Sequence, residues 1–162
     1  MRAAIPLLEW SIVKPGPAHS GLGELRVRPL VLVIDDEPQI ADLFSRLLCS
    51  GGFSTVEARS AEDALTLLGQ GLAPDAILLD LLMPGMGGLA FLRRLRDDPR
   101  HKTLPVTVVT AHCFVDPSVQ ASVAALGATI TFKPVDHHEL LLLVTAMLAR
   151  SDGDTGAPDR SR

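Results

Sequence analysis

From residue 30 onward the chain alternates between two hydrophobic rhythms. Unbroken apolar runs such as LVLVI at 30–34 and DAILLD at 75–80 have the form of strands buried on both faces, as a parallel sheet requires. Between such runs apolar residues recur every three or four positions. Ile40, Leu43, Phe44, Leu47 and Leu48 predict a first helix, with Pro38 in its first turn and Gly51 and Gly52 at its end. FSTVEA alternates weakly as a second strand, after which Ser60 is placed to cap a helix over AEDALTLLGQ, with Asp63 three residues on. LAFLRRLRDD predicts a helix that stops before Pro99, with LRRLR on its polar side. PVTVVT is a β-branched strand ending at Thr110. DPSVQASVAALG follows as a helix capped by Asp116 and stopped by Gly127. ATITF is a last strand leading to Lys133 and Pro134, and its alternation places Phe132 in the core. Asp136 and Glu139 form a capping box ahead of LLLLVTAMLAR.

Five strands and five helices in alternation define an α/β, doubly wound parallel sheet with helices on both faces. Residues 29–150 form this body. Residues 1–28, with several Pro and Gly and no clean periodicity, are expected to be a loosely ordered extension, and the polar residues 151–162 a disordered tail. At 162 residues and 47% apolar, the chain is long enough for one sizeable core.

Charge and cysteine content narrow the function. A net charge of -4 leaves no positive excess for nucleic-acid phosphates, which argues against direct DNA or RNA binding. Cys49 and Cys113 lack CxxC spacing, consistent with packing residues in a reducing cytoplasm. Pro6 and Glu9 interrupt what would be a secretory signal, and no apolar run reaches the ~18 residues of a membrane span.

The chemistry-bearing residues fall at one edge. Asp35 and Asp36 follow the first strand, Asp80 closes the third, Thr110 closes the fourth and Lys133 follows the fifth. Ligands of doubly wound sheets bind at such carboxyl ends. If the first and third strands are neighbours, three carboxylates converge, and their mutual repulsion is relieved by a cation. An all-oxygen donor set favours Mg²⁺ over Zn²⁺, and Mg²⁺ keeps positions open for phosphate oxygens. An ammonium and a hydroxyl facing the same spot suit the remaining phosphoryl oxygens, so phosphoryl transfer to a carboxylate is the chemistry implied.

Over residues 29–150 the sequence resembles the receiver domains of two-component response regulators, on VIDDEP, LLDLLMPGMGG, VVTA and TFKP in that order. The resemblance implies a flavodoxin-like five-stranded sheet of order 2-1-3-4-5. It makes Asp80 the phospho-acceptor, with Mg²⁺ held by Asp35, Asp36, Asp80 and the main-chain carbonyl of Leu82. It also implies that Thr110 and Lys133 contact the phosphoryl oxygens and that the Lys133–Pro134 bond is cis. The implied role is a stand-alone cytoplasmic signalling module, not an enzyme. It would be phosphorylated by a sensor histidine kinase or histidine phosphotransfer protein, and would act in a phosphorelay through a downstream protein without contacting nucleic acid or membrane.

Family members usually carry an aromatic residue three positions before the lysine, where this chain has Ile130; Phe114 and Phe132 are the nearby aromatics. Leu82 and His112 occupy the positions that tune loss of the phosphoryl group in the family. His137 and His138 are adjacent on a helix, point in different directions and read as solvated first-turn residues. Two alternatives carry other predictions. A haloacid dehalogenase-type phosphohydrolase needs an acid two residues after its nucleophile, where Leu82 stands. A receiver-like scaffold that works without phosphorylation is compatible with Ile130 but leaves the acidic residues without a task.

Overall fold

The computed structural model describes residues 28–111 and 115–152. The extension, nearly all of the tail, and His112, Cys113 and Phe114 lie outside the described residues. Elements alternate as β1 (Leu30–Ile34), α1 (Pro38–Ser50), β2 (Ser54–Ala58), α2 (Ala61–Gly69), β3 (Ala76–Leu79), α3 (Gly88–Asp97), β4 (Val106–Thr110), α4 (Pro117–Ala125), β5 (Thr129–Phe132) and α5 (His137–Asp152). All strand pairs are parallel and the order is β2-β1-β3-β4-β5, the flavodoxin-like arrangement.

Strand alternation divides the core between the two faces. Leu32, Ile34, Ile77 and Leu79 meet Ala61, Ala64 and Leu68 of α2, Phe91, Leu92 and Leu95 of α3, and Val123 of α4. Val31, Val33, Ala76 and Leu78 meet Ala41, Phe44 and Leu48 of α1, and Leu140, Val144 and Met147 of α5. With β1 and β3 covered on both sides, their side chains are buried along almost their whole length. Each such Leu, Ile or Val contributes roughly 1.5–3 kcal/mol relative to exposure. The sheet interior therefore carries the stability that holds charged groups at its edge.

The local punctuation follows the sequence. Ser60 accepts a hydrogen bond from the Asp63 amide at 3.0 Å, Asp116 from the Ser118 amide at 2.7 Å, and Asp136 from the Glu139 amide at 2.8 Å. Gly52 and Gly127, just past α1 and α4, have φ of +93° and +67°, which L side chains adopt at a cost. α5 continues to Asp152, two residues into the expected tail, because the first breaker there is Gly153. A short 3₁₀ turn at Pro99–His101 was not visible as a periodic pattern.

Phe132 is 43% exposed, which overturns its assignment to the core. It is the last residue of β5, an edge strand, and alternation buries a side chain only where a helix or second strand lies over it. Ile130, two residues earlier on the same face, does pack against the core, half-buried.

Candidate functional site

β1 and β3 are in register with Ile34 opposite Leu79, so Asp35 and Asp80 leave the sheet side by side. Main-chain bonds fix both: the Asp80 amide donates to the Ile34 carbonyl at 2.8 Å and the Asp35 amide to the Ala58 carbonyl at 3.2 Å. Both carboxylates are buried, at 3% and 7% exposure. Thr110 is buried at the end of β4, and its carbonyl accepts from the Lys133 amide at 2.8 Å, which docks the end of β5 beside it.

The Lys133 ammonium joins the two acids, 2.6 Å from Asp35 Oδ2 and 3.1 Å from Asp80 Oδ1. The other oxygens are also used. Asp35 Oδ1 accepts from the Glu37 amide at 3.0 Å, shaping the turn into α1, and Asp80 Oδ2 from the Leu82 amide at 2.8 Å. Asp35 thus serves the turn into the first helix as well as the charged cluster. The Lys133–Pro134 bond is cis.

Burial pushes the Asp80 carboxyl above its ordinary value; the charge and hydrogen bond of Lys133 oppose the rise without cancelling it, and the Asp35 charge adds to it. For Lys133, burial works to lower the pKa, but the hydrogen bonds and charges of Asp35 and Asp80 outweigh it and the net direction is up. The pocket thus stabilises its cation more fully than its second anion.

Of the three carboxylates expected to converge, Asp35 and Asp80 are joined through Lys133. Asp36 stands half-buried in the loop after Asp35, and among the described residues no three His, Cys, Asp or Glu side chains form a cluster ready to enclose a metal ion. One lysine cannot neutralise both Asp35 and Asp80 when both are ionised. This residual charge and the oxygen-only donors fit a hard divalent cation.

The loop from β3 to α3 lies tightly against Asp80. A Cβ at Gly88 would stand 2.3 Å from the Asp80 carbonyl oxygen, so only glycine permits this approach. Leu82 is 56% exposed beside the acceptor position. Sequence reading did not single out two long side chains that tie main-chain groups, one beside this edge and one at the far end of α3. Glu62 accepts from the Met86 amide at 3.0 Å. Arg96, assigned to the polar side of its helix, is half-buried and donates to the Leu126 and His101 carbonyls at 2.7 and 2.9 Å. Both are long side chains that reach back to main-chain groups, which periodicity does not reveal. His137 and His138 are exposed as expected, although His137 Nε2 lies 3.1 Å from Ser50 Oγ at the end of α1.

Comparison with known proteins agrees with this geometry. The family model described as the response regulator receiver domain matches residues 31–145. The DNA-binding dual master transcriptional regulator RpaA of Synechocystis is 36% identical over 124 residues, covering 76% of this chain and 51% of the relative. The chain spans about half the length of the curated relatives it matches. Among solved structures, chemotaxis protein CheY4 of Vibrio cholerae superposes with a TM-score of 0.68 at 28% identity, covering 75% of this chain and 99% of that one. A response regulator receiver protein from Pseudomonas putida gives 0.68 at 33% identity, with coverage of 74% and 97%. The matched segment contains every strand but the first residue of β1, together with the acidic pair, Asp80, Thr110 and Lys133, and the chain belongs to the response regulator receiver domain family.

Proposed function

We propose that the protein accepts a phosphoryl group on Asp80 from a histidine kinase or histidine phosphotransfer protein, and that the modified form changes which protein partner it binds. The observation that carries this is the buried bridge from Lys133 to Asp35 and Asp80 at the carboxyl edge of the sheet. Receiver domains as a family are signalling modules that bind Mg²⁺ and are phosphorylated by histidine kinases, which supports the assignment.

The roles follow from charge and position. Asp80 Oδ1 is the nucleophile. Asp35, Asp36, Asp80 and the Leu82 carbonyl would hold Mg²⁺, which supplies charge neutralisation to incoming phosphate oxygens when bound. Lys133 keeps a positive charge at the acceptor throughout and is placed to follow a phosphoryl oxygen as negative charge moves onto Asp80. Thr110, at the next strand end, offers a hydroxyl to another oxygen, and its displacement would move the segment leading to α4. Leu82 gives no acid for protonating a leaving group, which disfavours a multiple-turnover phosphohydrolase.

The test is the intact mass of the protein after incubation with acetyl phosphate, with and without Mg²⁺. A single Mg²⁺-dependent phosphoryl adduct that disappears in Asp80→Asn is expected. A folded parent that takes no adduct from either acetyl phosphate or a phosphorylated histidine donor would overturn the proposal and leave the phosphorylation-independent scaffold.

A further inference from the structure

The loop carrying the sequence from Asp80 to Gly87 is fastened from within and from outside. Within it, the Leu82 amide reaches the Asp80 carboxylate at 2.8 Å, and the Gly88 amide reaches the Leu81 carbonyl at 3.0 Å. Leu81 and Met83 bury their side chains in the core. The outside tie comes from α2, where Glu62 Oε1 accepts the Met86 amide at 3.0 Å across a sequence separation of 24. The same oxygen lies 3.2 Å from where a Cβ on Gly85 would stand, and Gly85 has φ of +73°. A glycine here therefore lets the backbone close onto the carboxylate.

Glu62 is a rigid point from which to hold a loop. It sits in the first turn of a helix whose start is fixed by the Ser60 cap and whose inner face, Ala61, Ala64 and Leu68, is buried in the core. A carboxylate accepting from a main-chain N–H makes a charge-assisted bond, roughly twice as strong as a neutral one. Its own side chain stays exposed, so its effect on global stability is small while its effect on a single loop is direct.

We propose that Glu62 is a positioning residue of the phosphoryl-acceptor site: from α2 it fixes the β3–α3 loop so that the Leu82 main chain and the Asp80 carboxylate keep the geometry that cation and phosphoryl group require. The inference rests on the proposed role of Asp80 and Mg²⁺, and extends the site to a helix that contributes none of the expected site residues.

The experiment compares the full chain with Glu62→Ala, Glu62→Gln and Asp63→Ala, the last removing a neighbouring acid from the same helical turn. Amide exchange across residues 82–87, Mg²⁺ affinity by calorimetry without phosphodonor, and the rate of adduct formation with acetyl phosphate are measured on each. Glu62→Ala is expected to speed exchange at Met86 and to weaken Mg²⁺ binding roughly tenfold, at the low end for loss of an outer partner of a metal site. Glu62→Gln, whose amide oxygen still accepts, recovers most of the affinity, and Asp63→Ala behaves as the parent. If the parent binds Mg²⁺ and takes the adduct, yet Glu62→Ala stays within about twofold of its affinity, the positioning role is wrong and the Asp80 assignment stands. If Asp63→Ala weakens Mg²⁺ as much as Glu62→Ala, bulk charge and not the loop tie is responsible, and the role is again wrong. A parent with neither Mg²⁺ binding nor adduct overturns both.

Discussion

Asp80 is a carboxylate whose pKa stands above its ordinary value, because burial outweighs the help it receives from Lys133. The native state then holds a proton more tightly than the unfolded chain, so the stability linked to this group is full at low pH and is lost as pH rises through the raised value. At neutral pH the ionised Asp80 is a net cost. Asp80→Asn, which keeps an oxygen for Lys133, is therefore expected to melt higher than the parent at neutral pH, with the gap closing as pH falls toward the ordinary carboxylate range; melting curves across pH check this. A gap that widens on acidification would mean that Lys133 more than compensates the burial. Strand ends and their order in the chain made this residue visible in the sequence, together with Asp35, Thr110 and Lys133. The sequence did not reveal that Lys133 draws Asp35 and Asp80 together, because rotamers and burial decide that. Phe132 shows the complementary limit: alternation gives the face a side chain points to, and only tertiary packing decides whether anything covers it.

At the scale of elements, the β3–α3 loop is held close to Asp80, and Gly88 is the residue that permits it. A methyl group there meets the Asp80 carbonyl oxygen and, at 3.0 Å, Leu81 Cα, both of them backbone. Gly88→Ala is expected to lower stability by about 1–3 kcal/mol and to weaken Mg²⁺ binding as the loop shifts outward; urea unfolding with calorimetry measures both. A variant as stable as the parent would show that the loop gives way easily. The glycines of MPGMGG were legible as a loop that lets the main chain come close, and the caps at Ser60, Asp116 and Asp136 were legible because each needs only local sequence. The ties made by Glu62 and Arg96 were not, since each joins elements 24 and 30 residues apart through one side chain.

On the scale of the molecule, a doubly wound sheet would turn local binding into global stability, because the residues proposed to hold the cation come from different strands. If Mg²⁺ binds only the folded form, the protein gains about 2.7 kcal/mol at a hundredfold excess over the dissociation constant. A melting temperature that climbs with Mg²⁺ in the parent and is flat in Asp35→Asn is the expected result; equal shifts in both would place the ion elsewhere. The Lys133 bridge also sets when the acidic pocket is completed during synthesis. Its partners lie 98 and 53 residues earlier in the chain, so the counter-charge for the acidic pocket is supplied only after nearly all of the domain has been made. A nascent chain still short of its last strand has the two acids without the Lys133 ammonium, so the charge balance of this pocket is set only in the completed domain.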